Sequence, residues 1–164
     1  ICGKGIYKSF LNIDLDSVIK EDNEAPKGEE TPLEIFAKYR ANLEENYANV
    51  VVIVNNPCLE FWFLLHFKKT SKYYDTCAEA KTELKNIKKY EKTRKFFTKQ
   101  GDDIYLKLKP RLKIAVENSI ALGNYDKKNP KKAMCEMELF FQSSELKNTL
   151  NENNLYTNIN LLVQ

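Results

Sequence analysis

Asp14-Leu15-Asp16 and Glu60 are the acids whose settings invite a chemical reading. The D-x-D pair follows an apolar stretch, residues 10–13, that reads as a strand. Side chains two apart in a strand share a side, so both carboxylates are expected to converge at the strand's end. Such a pair suits a hard cation, Mg²⁺ or Mn²⁺, which prefers carboxylate oxygens and retained water; a surface pair opening a loop is the alternative. Glu60 stands in residues 50–67, V-V-V-I-V-N-N-P-C-L-E-F-W-F-L-L-H-F, where it and His66 are the only ionisable side chains apart from the Cys58 thiol. The β-branched run 50–54 predicts a strand buried on both faces. Asn55-Asn56 ends it, and Pro57 suits the first helical position, so a helix over 57–67 carries Glu60 in its first turn. The helix dipole favours an ionised acid there. Glu60 is therefore expected as a metal ligand, an orienting acceptor or a general base, with a buried structural acid as the alternative. His66 lies about 240° around the helix from Glu60, off its face, and reads as a core or helix-terminal histidine.

The elements that must position these acids come in the order strand, helix, strand, helix. The capping-box pattern Thr31/Glu34 opens a helix ending near Asn46, and residues 20–30, acidic and carrying Pro26 and Gly28, read as a solvated loop. That order implies a small parallel sheet flanked by helices. Residues 1–67 are expected to form this α/β core, and 68–164 a mainly helical basic extension packed on it as one structural unit. In the extension, helices are expected over 72–99 with a break near Tyr90, over 111–122 with Gly123 as the stop, over 133–141 and over 155–163. Residues 104–108 are too short to assign.

Charge is unevenly spread. Residues 1–67 hold 6 basic and 11 acidic side chains, residues 68–113 hold 15 and 6, and residues 114–164 hold 5 and 6. The basic middle segment points to a polyanion such as RNA or DNA, with Lys85, Lys88, Lys89, Lys92, Arg94 and Lys95 meeting phosphates and Tyr90, Phe96 or Phe97 stacking on bases; a solvated lysine face is the alternative. No apolar stretch is long enough for a membrane span and no signal-like start is present, which leads to the expectation of a cytoplasmic protein without a membrane partner. The four cysteines are far apart, with no C-x-x-C, and are expected as reduced core thiols. No G-x-x-x-x-G-K-[ST] loop supports nucleotide hydrolysis.

Asn56-Pro57-Cys58-Leu59-Glu60-Phe61-Trp62-Phe63-Leu64-Leu65-His66-Phe67 resembles the Asn-Pro-Cys-x-Glu-x-Trp-x-Leu-Leu-His-Phe signature of the RloB-like family, bacterial proteins associated with phage defence and abortive infection. Residues 103–122 resemble the family's helix after its variable basic segment. Asn154-Leu155-Tyr156-Thr157-Asn158-Ile159 resembles its closing element, with Leu155 where a proline is frequent. The likeness runs over residues 48–164. It implies a Toprim-type α/β fold whose metal chemistry uses a Glu after the first strand and an Asp-x-Asp after a later one. Asp14 and Asp16 then become metal ligands for Mg²⁺ or Mn²⁺, Glu60 a third catalytic acid, and Asn56, Pro57, Cys58, Trp62 and His66 its structural signature. Ile1-Cys2-Gly3-Lys4-Gly5 stands where the family opens with Ile-Cys-Glu-Gly, but without the acid. The expectation is that intervening segments are missing from this chain. The implied activity is nuclease-type phosphodiester cleavage. Its rival is a non-catalytic nucleic-acid-binding or regulatory subunit beside an ATPase partner, and a self-associating nucleotide sensor is a further reading.

Overall fold

The computed structural model describes residues 8–143. Strand β1, Ser9–Asp14, runs parallel to β2, Val50–Asn56, with Ser9 opposite Val50 and Asp14 opposite Asn55. Val52, Ile53 and Val54 are all buried, as an unbroken apolar run requires. The expected all-parallel sheet is corrected by β3, Met134–Cys135, which pairs antiparallel with Asn55 and Asn56 on the other side of β2. This pairing also overturns a helix over 133–141. Fully buried Met134 and Cys135 join the sheet, and Glu136 continues along β2 by donating its backbone N–H to Val54 O.

Helices α1, Leu15–Glu24, and α2, Pro32–Asn46, connect the parallel strands. The expected loop over 20–30 is thus half helix: Leu15 and Ile19 lie one turn apart and pack with Val52, Val54 and Met134, which holds the acidic segment helical. Thr31 and Glu34 form the expected capping box at the start of α2. Leu33, Phe36 and Leu43 add its apolar face to the same cluster.

Helix α3, Leu59–Leu65, begins later than Pro57 and ends before Phe67. The Asn56–Pro57 peptide is cis, and extended Cys58 takes the N-cap position. Asn55 and Asn56 do not cap because their side chains are used elsewhere. Asn55 Nδ2 donates to Asn12 Oδ1 at 2.6 Å, and Asn56 Nδ2 donates to the carbonyls of Pro130 and Lys132, each at 2.9 Å. A seven-residue helix is far below the roughly 12–15 residues at which an isolated helix becomes marginal, so packing must hold it. Phe61, Trp62, Phe63, Leu64 and Leu65 are all buried, in one cluster with Ala80 and Leu84 of α4, Cys77–Lys88, and Leu112, Ala115 and Val116 of α7, Leu112–Leu122.

Between these helices, α4 stops at Lys89, whose φ of 51° is left-handed, close to the expected break at Tyr90. Short helices α5, Arg94–Thr98, and α6, Ile104–Leu108, follow, the latter capped by Asp103. A single 3₁₀ turn, Lys109–Arg111, leads into α7, and Gly123 ends that helix as expected. Helix α8, Glu138–Phe141, follows β3. The helix expected over 155–163, the closing element at 154–159 and the opening residues 1–5 lie outside the described residues.

Candidate functional site

Asp14 ends β1 and stands in the N-cap position of α1, yet its side chain does not cap that helix. Asp14 Oδ1 instead accepts the first amide of α3, Leu59 N–H, at 2.9 Å. Asp16 is in the first turn of α1, so strand alternation does not align the two aspartates; the strand-to-helix corner does. Its Oδ1 accepts from Ser17 N at 2.9 Å, and its Oδ2 accepts from Cys77 N, the first residue of α4, at 3.3 Å. The corner is fixed by a backbone bond from Asp16 N to Pro57 O at 3.1 Å. The cis-proline turn, both aspartates and the starts of α3 and α4 therefore meet at the carboxyl end of the parallel strand pair, the usual ligand edge of such sheets.

Glu60, in the first turn of α3, is 2% exposed. Its Oε1 accepts from Tyr90 OH at 3.3 Å and faces Lys92 Nζ at 3.0 Å and Lys81 Nζ at 3.6 Å. Burial opposes its ionisation, but the Lys92 hydrogen bond, a backbone bond and the nearby Lys81 charge prevail and hold its pKa below the ordinary carboxylate value. Glu60 is therefore an anion at neutral pH. Asp14 shifts upward, first through burial and then through the negative charges of Glu60 and Asp16, against the lowering effect of the Leu59 amide. The two acids on β1–α1 and the acid on α3 thus share one electrostatic environment.

A hard cation suits this donor set by type, and one orphaned atom supports the fit. Asn55 Oδ1, buried and in register with Asp14 across the strand pair, has no hydrogen-bond partner among the described residues. It is a neutral oxygen beside an acid whose proton affinity is raised first by burial and then by like charge, the second of which a divalent cation would relieve. The arrangement is not a closed cage. Among the described residues, the only trio of His, Cys, Asp or Glu ligand atoms within 4.8 Å of one another is Cys58, Glu60 and Cys77.

That trio corrects the expectation of reduced thiols at these two positions. Cys58 and Cys77 form a disulfide, with Cα atoms 5.6 Å apart. Nineteen residues of sequence separate them, and only the meeting of the α3 and α4 N-termini brings them together. Cys77 Sγ lies 3.2 Å from Glu60 Oε2. Cys135 is a buried free thiol, and Cys2 lies outside the described residues.

His66 is the C-cap of α3 and 1% exposed; its Nδ1–H donates to Trp62 O at 3.0 Å, since a carbonyl can only accept. Burial holds its pKa down to about 4. It takes no part in the acidic edge. Trp62 packs between this imidazole and Phe141.

Lys85, Lys88, Lys89, Lys92, Arg94 and Lys95 are all exposed. Lys92 nevertheless reaches inward to Glu60, while Lys88 lies over the Phe67 ring. Tyr90 is 4% exposed and hydrogen-bonded to Glu60, so it is a core group and not the expected stacking platform. Phe96 and Phe97 are half-buried against it. Lys81, Tyr90 and Cys77 are the site residues that sequence reasoning did not select for the site. Their α4 and post-α4 positions approach Glu60 only through tertiary packing.

These features define a small mixed α/β protein with a carboxylate cluster at the sheet edge, partly neutralised by lysines from a basic helical region. The chain belongs to the RloB-like protein family, which it matches over residues 10–164, a longer stretch than the signature and its flanks. Neither a curated protein nor a solved structure gives a match. Among the described residues, no helix is long and apolar enough to cross a membrane.

Proposed function

We propose that this chain is a metal-dependent phosphodiester-cleaving effector of phage defence, built on a Toprim-type fold and acting on RNA or DNA in the cytoplasm. The observation that carries the reading is the meeting of the acids at the carboxyl edge, where Asp14 accepts the first amide of α3, Asp16 accepts the first amide of α4, and Glu60 in the first turn of α3 faces Lys81 and Lys92. Asp14 and Asp16 would hold Mg²⁺ or Mn²⁺, with Glu60 beside them. When bound, such a cation polarises a phosphodiester and lowers the pKa of an attached water. Glu60, kept ionised at neutral pH, is competent to accept a proton or orient that water. Lys92, 64% exposed at its side chain, can leave Glu60 for a phosphate oxygen, and the exposed lysines of 85–95 extend a cationic path away from the edge.

The test is cleavage of labelled RNA and DNA with Mg²⁺ or Mn²⁺. Asp14→Ala/Asp16→Ala and Glu60→Gln are each expected to lower the rate by about a hundredfold or more, in line with loss of metal positioning or proton transfer. Rates unchanged in both variants would remove these residues from the mechanism. Binding is a separate prediction. If all six basic residues meet duplex phosphates, affinity should fall about a thousandfold between 50 and 200 mM salt, measured by filter retention. Retention that barely moves would reduce the basic block to a solvated face.

A second reading has its own observation. Glu60 is already paired with two lysines, and Asp14 and Asp16 each accept a backbone amide, so every acid of the edge has a partner without a cation. That supports a non-catalytic nucleic-acid-binding or regulatory subunit beside an ATPase partner. Absence of cleavage under every metal condition, with such a partner supplied, would favour it.

A further inference from the structure

We infer that Cys58, Cys77 and Glu60 form a thiol-gated site for a thiophilic divalent cation of the zinc class, closed while the cysteines are disulfide-bonded and open once they are reduced. The two sulfurs and one Glu60 carboxylate oxygen already lie within 4.8 Å of one another. The cysteines open two different helices, α3 and α4, so the folded chain fixes where the sulfurs remain after the bond is cut. Their Cα separation of 5.6 Å allows two thiolates to share one ion. Tetrahedral zinc, with Zn–S bonds near 2.3 Å, needs its sulfurs only about 3.8 Å apart, a spacing reached by side-chain rotation.

Two thiolates and a carboxylate make three ligands, leaving a fourth position for water. The chemistry balances simply. A dithiol reductant donates two electrons, the Cys58–Cys77 bond breaks, both sulfurs take protons and the reductant leaves as a disulfide. The cation then displaces those two protons to solvent as it binds the thiolates and Glu60. Lys81 and Lys92 lie on one oxygen of Glu60 while the Cys77 sulfur lies on the other, and the exposed Lys92 arm can withdraw when the cation takes over the charge of Glu60. The soft sulfur donors distinguish this site from the all-oxygen donor set of Asp14 and Asp16. Cys77 also gives its amide to Asp16 and its sulfur touches Glu60, so the thiolate site borders the acidic edge and shares Glu60 with it.

The site does not depend on phosphodiester cleavage, and its test reads absorption. The whole chain is titrated with Cd²⁺ alone, once oxidised and once after treatment with a phosphine reductant, which with one water becomes the phosphine oxide as the two thiols form. The reduced protein is expected to develop a thiolate-to-metal charge-transfer band saturating at one equivalent, reversed by Zn²⁺, while the oxidised protein develops none. Cys58→Ser and Cys77→Ser should each remove the band, Cys135→Ser should keep it, and Glu60→Gln should weaken binding by about tenfold or more. Far-UV circular dichroism of each reduced sample establishes that it remains folded. A folded, reduced wild-type chain without the band would overturn the inference, as would a band that survives Cys58→Ser or Cys77→Ser, or undiminished affinity in Glu60→Gln.

Discussion

Glu136→Gln should lower the unfolding free energy by about 3–5 kcal/mol, the range for breaking a buried ion pair by removing one partner. Glu136 is fully buried, and its two oxygens are saturated with donors. Oε2 accepts from Arg40 Nη1 at 2.9 Å and from Val54 N at 2.9 Å. Oε1 accepts from Arg40 Nη2 at 3.2 Å and from Tyr125 N at 2.7 Å. An amide keeps one acceptor oxygen but turns an NH₂ donor toward two other donors, whichever way it flips, and leaves the Arg40 guanidinium only the half-exposed Glu44 as a counter-charge. The carboxylate ties α2, β2 and the loop residue Tyr125 after α7, so the loss should reach the sheet that carries Asp14. Urea unfolding of the single variant and of Arg40→Met/Glu136→Met measures this. The double variant should lose less than Glu136→Gln alone, because no buried charge is then orphaned. Equal stability of Glu136→Gln and the parent would refute the argument.

The contrast between Glu136 and Glu60 shows how far the sequence could be read. Glu60 stood out because it interrupts an apolar run, and local pattern is what a sequence displays. Glu136, in Met134-Cys135-Glu136-Met137, interrupts an apolar run as well, but it was absorbed into an expected helix; its partners Arg40, Val54 and Tyr125 are distant in sequence, and nothing in the 3.6-residue period announces them. The same limit explains β3. A two-residue strand has too little alternation to compete with a helical pattern, and only the free edge of β2 makes it a strand. Strand β2, the capping box at Thr31 and the Gly123 stop were legible because each is local chemistry. At the candidate site, Asp14, Asp16 and Glu60 could be named from sequence, while the mode of their meeting could not. A helix corner and two helix-start amides replace the strand pleat, and Lys81, Tyr90 and Cys77 enter through the packing of α4 against α3.

Acidification from pH 6.5 to about 4 should cost the fold roughly 3 kcal/mol through His66 alone, at about 1.4 kcal/mol per tenfold change in proton affinity. The folded imidazole has its pKa held down from 6.5 to about 4, first by burial, against a smaller raising effect of the Trp62 carbonyl. The sign follows directly. Below pH 6.5 the unfolded chain takes up a proton that the folded chain refuses, so the unfolded state gains and stability falls until the folded imidazole also titrates near 4. The window is well isolated because His66 is the only histidine in the chain. Glu60, held below its ordinary value, withdraws stability only at lower pH, as acidity passes from the unfolded carboxylate range through its depressed folded pKa. Asp14 and Glu138, raised above theirs, act in the opposite direction as they protonate. Urea unfolding at pH 7, 6, 5 and 4.5 should show a slope between 6.5 and 4.5 that largely disappears in His66→Phe, whatever the absolute stability of that variant. The same slope in both proteins would mean that His66 titrates normally in the fold. A neutral imidazole throughout the physiological range, locked on the Trp62 carbonyl, also separates His66 from the proton chemistry proposed for Glu60: the phosphodiester-cleavage rate should follow the carboxylates, and His66→Phe should change it only as far as it loosens α3.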